Sequence, residues 1–241
     1  DSSGTIQVNG SGNNPISIRR NLFRSNMRMQ IAQQPDPYNP PVASYPVAEF
    51  GGGTGVKVFA GNNVGASFVR FSGSQWTVGG DTAADENVFI GPRAGIEANG
   101  AVHVKRNYSH HIYYGGWSQG NNFELQRGGG IYEHNIINGS SWLVRGMSGE
   151  FRYNLLVNAG HQWIWADSNN ASIHHNVFVG GIADGGGIFA LYNPQNVNIF
   201  NNTIDGQGVI GRAMHMQDGA ILLHSKIFNR VPSPGIVTTR G

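Results

Sequence analysis

Cysteine is absent from this chain of 241 residues. That excludes disulfides, thiolate catalysis and Cys-ligated zinc. Charged residues make up only 12%, and the formal net charge is +2. This mildly basic balance permits an acidic partner without demanding one. No dense basic cluster is interleaved with aromatics, so nucleic-acid binding is not expected. No apolar run is long enough to cross a bilayer, and no signal peptide is legible at the N-terminus. No helical heptad pattern is present. The Asp residues are few and scattered, which leaves no acidic calcium cage. The nine His show no helical zinc spacing, and no cofactor motif is recognisable.

What is present is a repeat. Eight short segments align on one position at intervals of about 19–28 residues: Asn21, Asn87, Asn107, Asn135, Asn154, Asn176, Asn202 and, with Ser in the Asn place, Ser225. The 66 residues from Asn21 to Asn87 match three periods of 22. Five and three residues before the Asn, and two after it, the side chain is usually apolar or small. For Asn202 these are Val197, Ile199 and Ile204; for Ser225 they are Ala220, Leu222 and Ile227. Alternation with period two makes a strand with one buried face. The Asn is expected to turn the chain, since it tolerates left-handed dihedrals. Stacked unit on unit, its amides would form a ladder. One unit cannot bury its apolar face alone, so the repeat predicts a solenoid. The 36 Gly suit tight corners. One continuous domain over 1–241 is expected, with about ten coils rising roughly 4.8 Å each.

Two stretches interrupt the pattern. Residues 33–54 carry Pro35, Pro37, Pro40, Pro41 and Pro46 and read as a loop inserted in one coil. A Gly-rich loop is expected near 115–122. On a solenoid such loops emerge on one face and can wall a groove.

Segments such as NVNIFNNTIDG, ASIHHNVFVGG and SHHIYYGG resemble the parallel β-helix repeats of the pectate-lyase-like superfamily. The resemblance implies an all-β, single-stranded right-handed parallel β-helix. It also implies a secreted protein, extracellular or periplasmic, and the start DSSGTIQV would suit a mature end. The superfamily spans polysaccharide lyases, hydrolases, tailspikes and non-catalytic surface proteins, and the fold does not choose among them. No capping helix is legible at either terminus, so other protein subunits covering the open ends are a second kind of expected partner.

Register locates the candidate chemistry. Two before the Asn, the outward side chains read Arg19, Asp85, Lys105, Glu133, Arg152, His174, Phe200 and Leu223. One before it they read Arg20, Glu86, Arg106, His134, Tyr153, His175, Asn201 and His224. A solvated face must be polar in any case. The same strip also suits an extended anionic chain, because subsites repeat along a solenoid. Lyase chemistry on a uronic acid needs the substrate carboxylate neutralised, plus a base and an acid. In this superfamily those roles often fall to Lys, Arg, His or Tyr. The candidate catalytic set is therefore Arg152, Tyr153, His134, His175 and Lys105. Candidate substrate contacts are Arg127, Arg145, Glu133, His174, Trp117, Trp163 and Trp165. Trp163 and Trp165 would form a sugar platform if Ile164 faces inward, and would fill the core otherwise. A hydrolase would need two carboxyl groups, for which Glu133 and Glu150 are the weaker candidates. The expected function is binding, with cleavage by β-elimination, of an acidic polysaccharide. The alternative is a non-catalytic structural or adhesive subunit of a surface assembly or tail fibre.

Overall fold

The computed structural model describes residues 6–24, 47–65, 68–91, 95–110, 121–126, 129–145, 148–166, 170–180, 189–192, 195–205, 214–217, 221–228 and 237–240. Among them the chain is all-β, apart from a single 3₁₀ turn, Ala83–Asp85. No helix there is long and apolar enough to cross a membrane. Every strand pairing among these residues is parallel, and the strands fall into three files. The first runs from Ile6–Gly10 through Ala48–Gly52, Phe68–Ser72, Gly95–Asn99 and Asn121–Gln126. It continues through the C-terminal parts of Ile136–Arg145 and Leu155–Ala166, then Phe189–Tyr192, Met214–Gln217 and Val237–Arg240. The second stacks Ile16–Arg19, Lys57–Ala60, Trp76–Gly79, Val102–Lys105, Gly129–Glu133, Ser148–Arg152, Ala171–His174 and the starts of Val197–Asp205 and Ile221–Phe228. The third stacks Leu22–Arg24, Asn63–Gly65, Val88–Ile90, Tyr108–His110, the starts of Ile136–Arg145 and Leu155–Ala166, Val177–Val179 and the ends of Val197–Asp205 and Ile221–Phe228.

The expected alternation holds in the second file. Phe59, Val78, Val104, Tyr132, Phe151, Ile173 and Ile199 are buried, each three residues or so before a turn. In the third file Val64, Phe89, Ile137, Leu156, Phe178 and Ile204 are buried in register with one another. Each such side chain contributes about 1.5–3 kcal/mol of burial. Near the N-terminal end the interior is aromatic: Phe50 lies within 5.5–6.0 Å of Phe23, Phe59, Phe71 and Trp76. Lys57 shares that interior. Its ammonium donates to the carbonyls of Gly53 (2.9 Å) and Ser74 (2.8 Å) and lies 5.7 Å from the Trp76 ring.

The Asn residues do line up. Nδ2 of Asn21 donates to Oδ1 of Asn62, and the same bond repeats through Asn87, Asn107, Asn135, Asn154 and Asn176 to Asn202, at 2.8–3.1 Å. Asn154 is typical. Its backbone N–H and Nδ2 both donate to Oδ1 of Asn176, and Nδ2 also reaches the carbonyls of Tyr132 and Arg152.

Four details correct the sequence reading. Only one member, Asn62, stands between Asn21 and Asn87, so the gap holds unequal intervals rather than three of 22 residues. The left-handed residue is the one before the Asn: Arg20, Gly61, Arg106, His134, Tyr153, His175 and Asn201 have φ of 50–66°. The Asn serves as the hydrogen-bonding member. Upstream of Asn87 the residues form the exposed 3₁₀ turn, while the strand of that tier is Trp76–Gly79. Ile221 and Leu223, rather than Ala220 and Leu222, stand opposite Val197 and Ile199, because the register slips by one residue at the turn.

Both ranges expected to be loops include strand residues. Within 33–54, Ala48–Gly52 is a strand with Phe50 in the core. Within 115–122, the residues from Asn121 belong to a strand. Residues 33–46 and 115–120 lie outside the described residues.

Candidate functional site

In a strand, residues i and i+2 share a face, and in-register residues of neighbouring parallel strands sit about 4.8 Å apart. The second file therefore carries Lys105, Glu133, Arg152, His174 and Phe200 in one outward column. Two residues upstream, His103, Ile131, Glu150, Ser172 and Asn198 form the adjacent column.

These two columns are joined by a continuous polar network. Nε2 of His103 meets Oε1 of Glu133 at 2.8 Å. Arg152 donates from Nε to Oε2 of Glu133 (2.8 Å) and from Nη1 to Oε1 of Glu150 (2.9 Å). Nε2 of His174 meets that same Glu150 oxygen at 2.8 Å, and its Nδ1 meets Nδ1 of His175 at 2.8 Å. Burial pushes the Glu133 carboxyl up, but the hydrogen bonds and charges of Arg152 and His103 outweigh it and hold the group below its ordinary range. The hydrogen bond that Arg152 donates to Glu133, opposed by burial and reinforced by the charges of both carboxylates, raises the Arg152 guanidinium above its ordinary value.

A third column projects from the left-handed turns. His134 stacks on Tyr153 with centroids 5.3 Å apart and planes 10° from parallel. Tyr153 lies 5.2 Å from His175 on its other side. All three are exposed, Tyr153 at 47%. The three rings thus form one exposed row of two imidazoles and a phenol. Arg106 occupies the same turn position one tier below His134.

The structure thus gathers Arg152, Tyr153, His134, His175, His174 and Glu133 at one place. His134 and His175 are kept apart by Tyr153. Lys105 stands on the same column but is engaged elsewhere, donating to Asp81 at 2.7 Å. Arg127 and Trp117 lie outside the described residues. Arg145, Trp163 and Trp165 have described backbones, Arg145 standing in register with Trp165, while their side chains lie outside the described residues. Ile164 between the two Trp is buried. Among the described residues no group of three His, Asp or Glu is placed to hold a metal ion.

The reading of the sequence missed His103 and ranked Glu150, with Glu133, only as the weaker hydrolase pair. The same-face rule was the available signal: Glu150 precedes Arg152 by two residues, as His103 precedes Lys105.

No family model, curated protein or solved structure matches this chain.

Proposed function

We propose that the chain winds as a right-handed, single-stranded parallel β-helix of the pectate-lyase-like kind. The outward face of its second strand file would then bind an acidic polysaccharide and cleave it by β-elimination. Parallel neighbours connected through intervening strands must return on themselves, and such crossovers are right-handed in nearly all proteins. The observation that carries the functional reading is the exposed file of Arg106, His134, Tyr153 and His175, repeated tier by tier. A linear polymer laid along it meets cationic, donor and acceptor groups in succession. The chemistry of elimination has its residue types here: imidazoles for proton abstraction, Tyr153 for proton donation and Arg106 for the carboxylate. This reading also takes the protein to be exported, where such polymers are found.

The test is incubation with a panel of uronic-acid polymers, following binding and the ultraviolet absorbance of an unsaturated product. Binding to at least one polymer is expected, with product that disappears in Tyr153→Phe. Neither binding nor product across the panel would remove the proposal.

One observation favours a second reading. The Arg152 fork is occupied by two carboxylates, so it strengthens the stack rather than reaching for a ligand. A non-catalytic structural or adhesive subunit would show that arrangement, with partners covering the ends. On this reading the protein assembles into higher oligomers and no polymer is consumed. A monodisperse monomer in sedimentation would count against it.

A further inference from the structure

The geometry points to Glu150, His174 and His175 as a proton relay that leaves Nε2 of His175 unprotonated and exposed as a base. His174 is the fixed middle member. It is 8% exposed, stacked on Phe200 (4.7 Å, 12°) and met edge-on by Tyr153 (6.2 Å, 79°). Both its ring nitrogens are engaged, Nε2 by Glu150 and Nδ1 by His175, each at 2.8 Å.

Those two contacts dictate where the protons sit. A carboxylate only accepts hydrogen bonds, so Nε2 of His174 carries its hydrogen. A neutral imidazole has one N–H, so Nδ1 of His174 is an acceptor. The hydrogen in the contact between the rings therefore belongs to Nδ1 of His175. That leaves Nε2 of His175 with a free lone pair. His175 is exposed and sits at φ 55°. The next residue anchors that turn: Nδ2 of Asn176 donates to the carbonyl of His174 at 3.0 Å. The opposite end is anchored too. Arg152 donates to the Glu150 oxygen that faces His174, which makes Arg152, like Glu150 and His174, a positioning residue.

When Nε2 of His175 accepts a proton, the Nδ1 hydrogen passes to Nδ1 of His174. The resulting imidazolium then lies against the Glu150 carboxylate, so the positive charge moves one ring inward toward its counter-ion. The catalytic use of this base rests on the polysaccharide reading. There, His175 removes the hydrogen on the carbon beside the uronate carboxylate. The electron pair forms the carbon–carbon double bond, the bond to the departing glycosidic oxygen breaks, and that oxygen takes the phenol proton of Tyr153, which solvent then restores. The relay itself does not depend on this use.

The decisive measurement is long-range proton–nitrogen NMR of the histidine rings of the whole chain. It is made at about pH 9, where an ordinary imidazole is neutral, with assignment from His174→Gln and His175→Gln. The expected spectrum shows His174 with its hydrogen on Nε2 and His175 with its hydrogen on Nδ1, the less common form in free histidine. In Glu150→Ala, His175 should revert to mostly Nε2–H. A wild-type His175 that is already mostly Nε2–H overturns the relay, with no variant needed. With a polymer that is cleaved, His175→Gln should lower kcat at least about a hundredfold while binding persists. Glu150→Ala should lower kcat with little change in KM. The expected tautomers without any unsaturated product keep the relay and discard polymer cleavage. Product from a protein with the opposite tautomer does the reverse.

Discussion

Glu133 accepts a hydrogen bond from Nε of Arg152 at 2.8 Å across two neighbouring strands, and its other oxygen meets His103. Its carboxyl is held below the ordinary glutamate value of 4.5, the Arg152 and His103 hydrogen bonds outweighing burial. A carboxyl lowered on folding stabilises the fold fully above its unfolded value, and that stability is lost as pH falls through the folded value. The wild type should therefore lose melting temperature as pH drops below about 4.5. Glu133→Gln should start lower at neutral pH and lose less over the acid range. Parallel Tm-versus-pH curves for the two proteins would refute the coupling.

Asn154 is the clearest test of the ladder. Asn154→Ala removes the acceptor for two donors of Asn135 and the donor to three carbonyl oxygens. All of these groups are buried or partly so, and a stranded buried polar group costs about 1–3 kcal/mol. A loss of about 2–4 kcal/mol in urea unfolding is expected. Asn21 is the end member of the file among the described residues and is exposed, so Asn21→Ala should cost less than about 1 kcal/mol. Asn154→Asp should be worse than Ala at neutral pH, since a carboxylate cannot donate to those oxygens, and should recover in acid. Equal costs at the two positions would mean that the bonds do not act as a ladder.

The file of amides was legible because its members share a short local pattern, an apolar alternation ending in a polar pair. It failed where that pattern is interrupted by something non-local. Asn62 was hidden because Lys57 stands at an inward position of its strand, where the template asks for an apolar residue. Asn87 was found, but the strand belonging to it lies upstream of an inserted turn, beyond a fixed-offset template. The gathering of Arg152, Glu133, His174 and His175 followed from register alone. The pairing of Arg152 with Glu150, and the proton order between His174 and His175, depend on side-chain direction, which spacing does not encode.

Left-handed turns make a graded prediction. A non-Gly residue there costs about 1 kcal/mol or more, and Asn tolerates the conformation. Arg106 (φ 50°) is exposed and has no side-chain stack among the described contacts, so Arg106→Asn should stabilise by up to about 1 kcal/mol. His134→Gly gains the same backbone relief but loses the stack on Tyr153, worth about 0.5–1.5 kcal/mol, and should be neutral or destabilising. Gly61→Ala, at φ 66°, should destabilise, because the added methyl would lie 2.7 Å from the Ala84 carbonyl. Thermal melts of the three variants give the order, and an Arg106→Asn protein less stable than wild type would contradict it.

Lys57 lies against Trp76 in the aromatic part of the core, and their contact decides what a buried ammonium is doing there. The lysine is fully buried, yet no carboxylate faces it among the described contacts. Two carbonyls and the indole face hold it instead. Lys57→Ala removes both the donors and the packed stem, and should cost about 2–5 kcal/mol. Lys57→Met restores the stem and leaves the carbonyls of Gly53 and Ser74 without this donor, so about 1–3 kcal/mol should remain. If the ammonium merely occupies space, Met would match or exceed the wild type, as apolar replacements of buried charges often do. Urea unfolding of the pair therefore separates packing from hydrogen bonding. A Met variant clearly less stable than wild type, with Ala lower still, is the expected order.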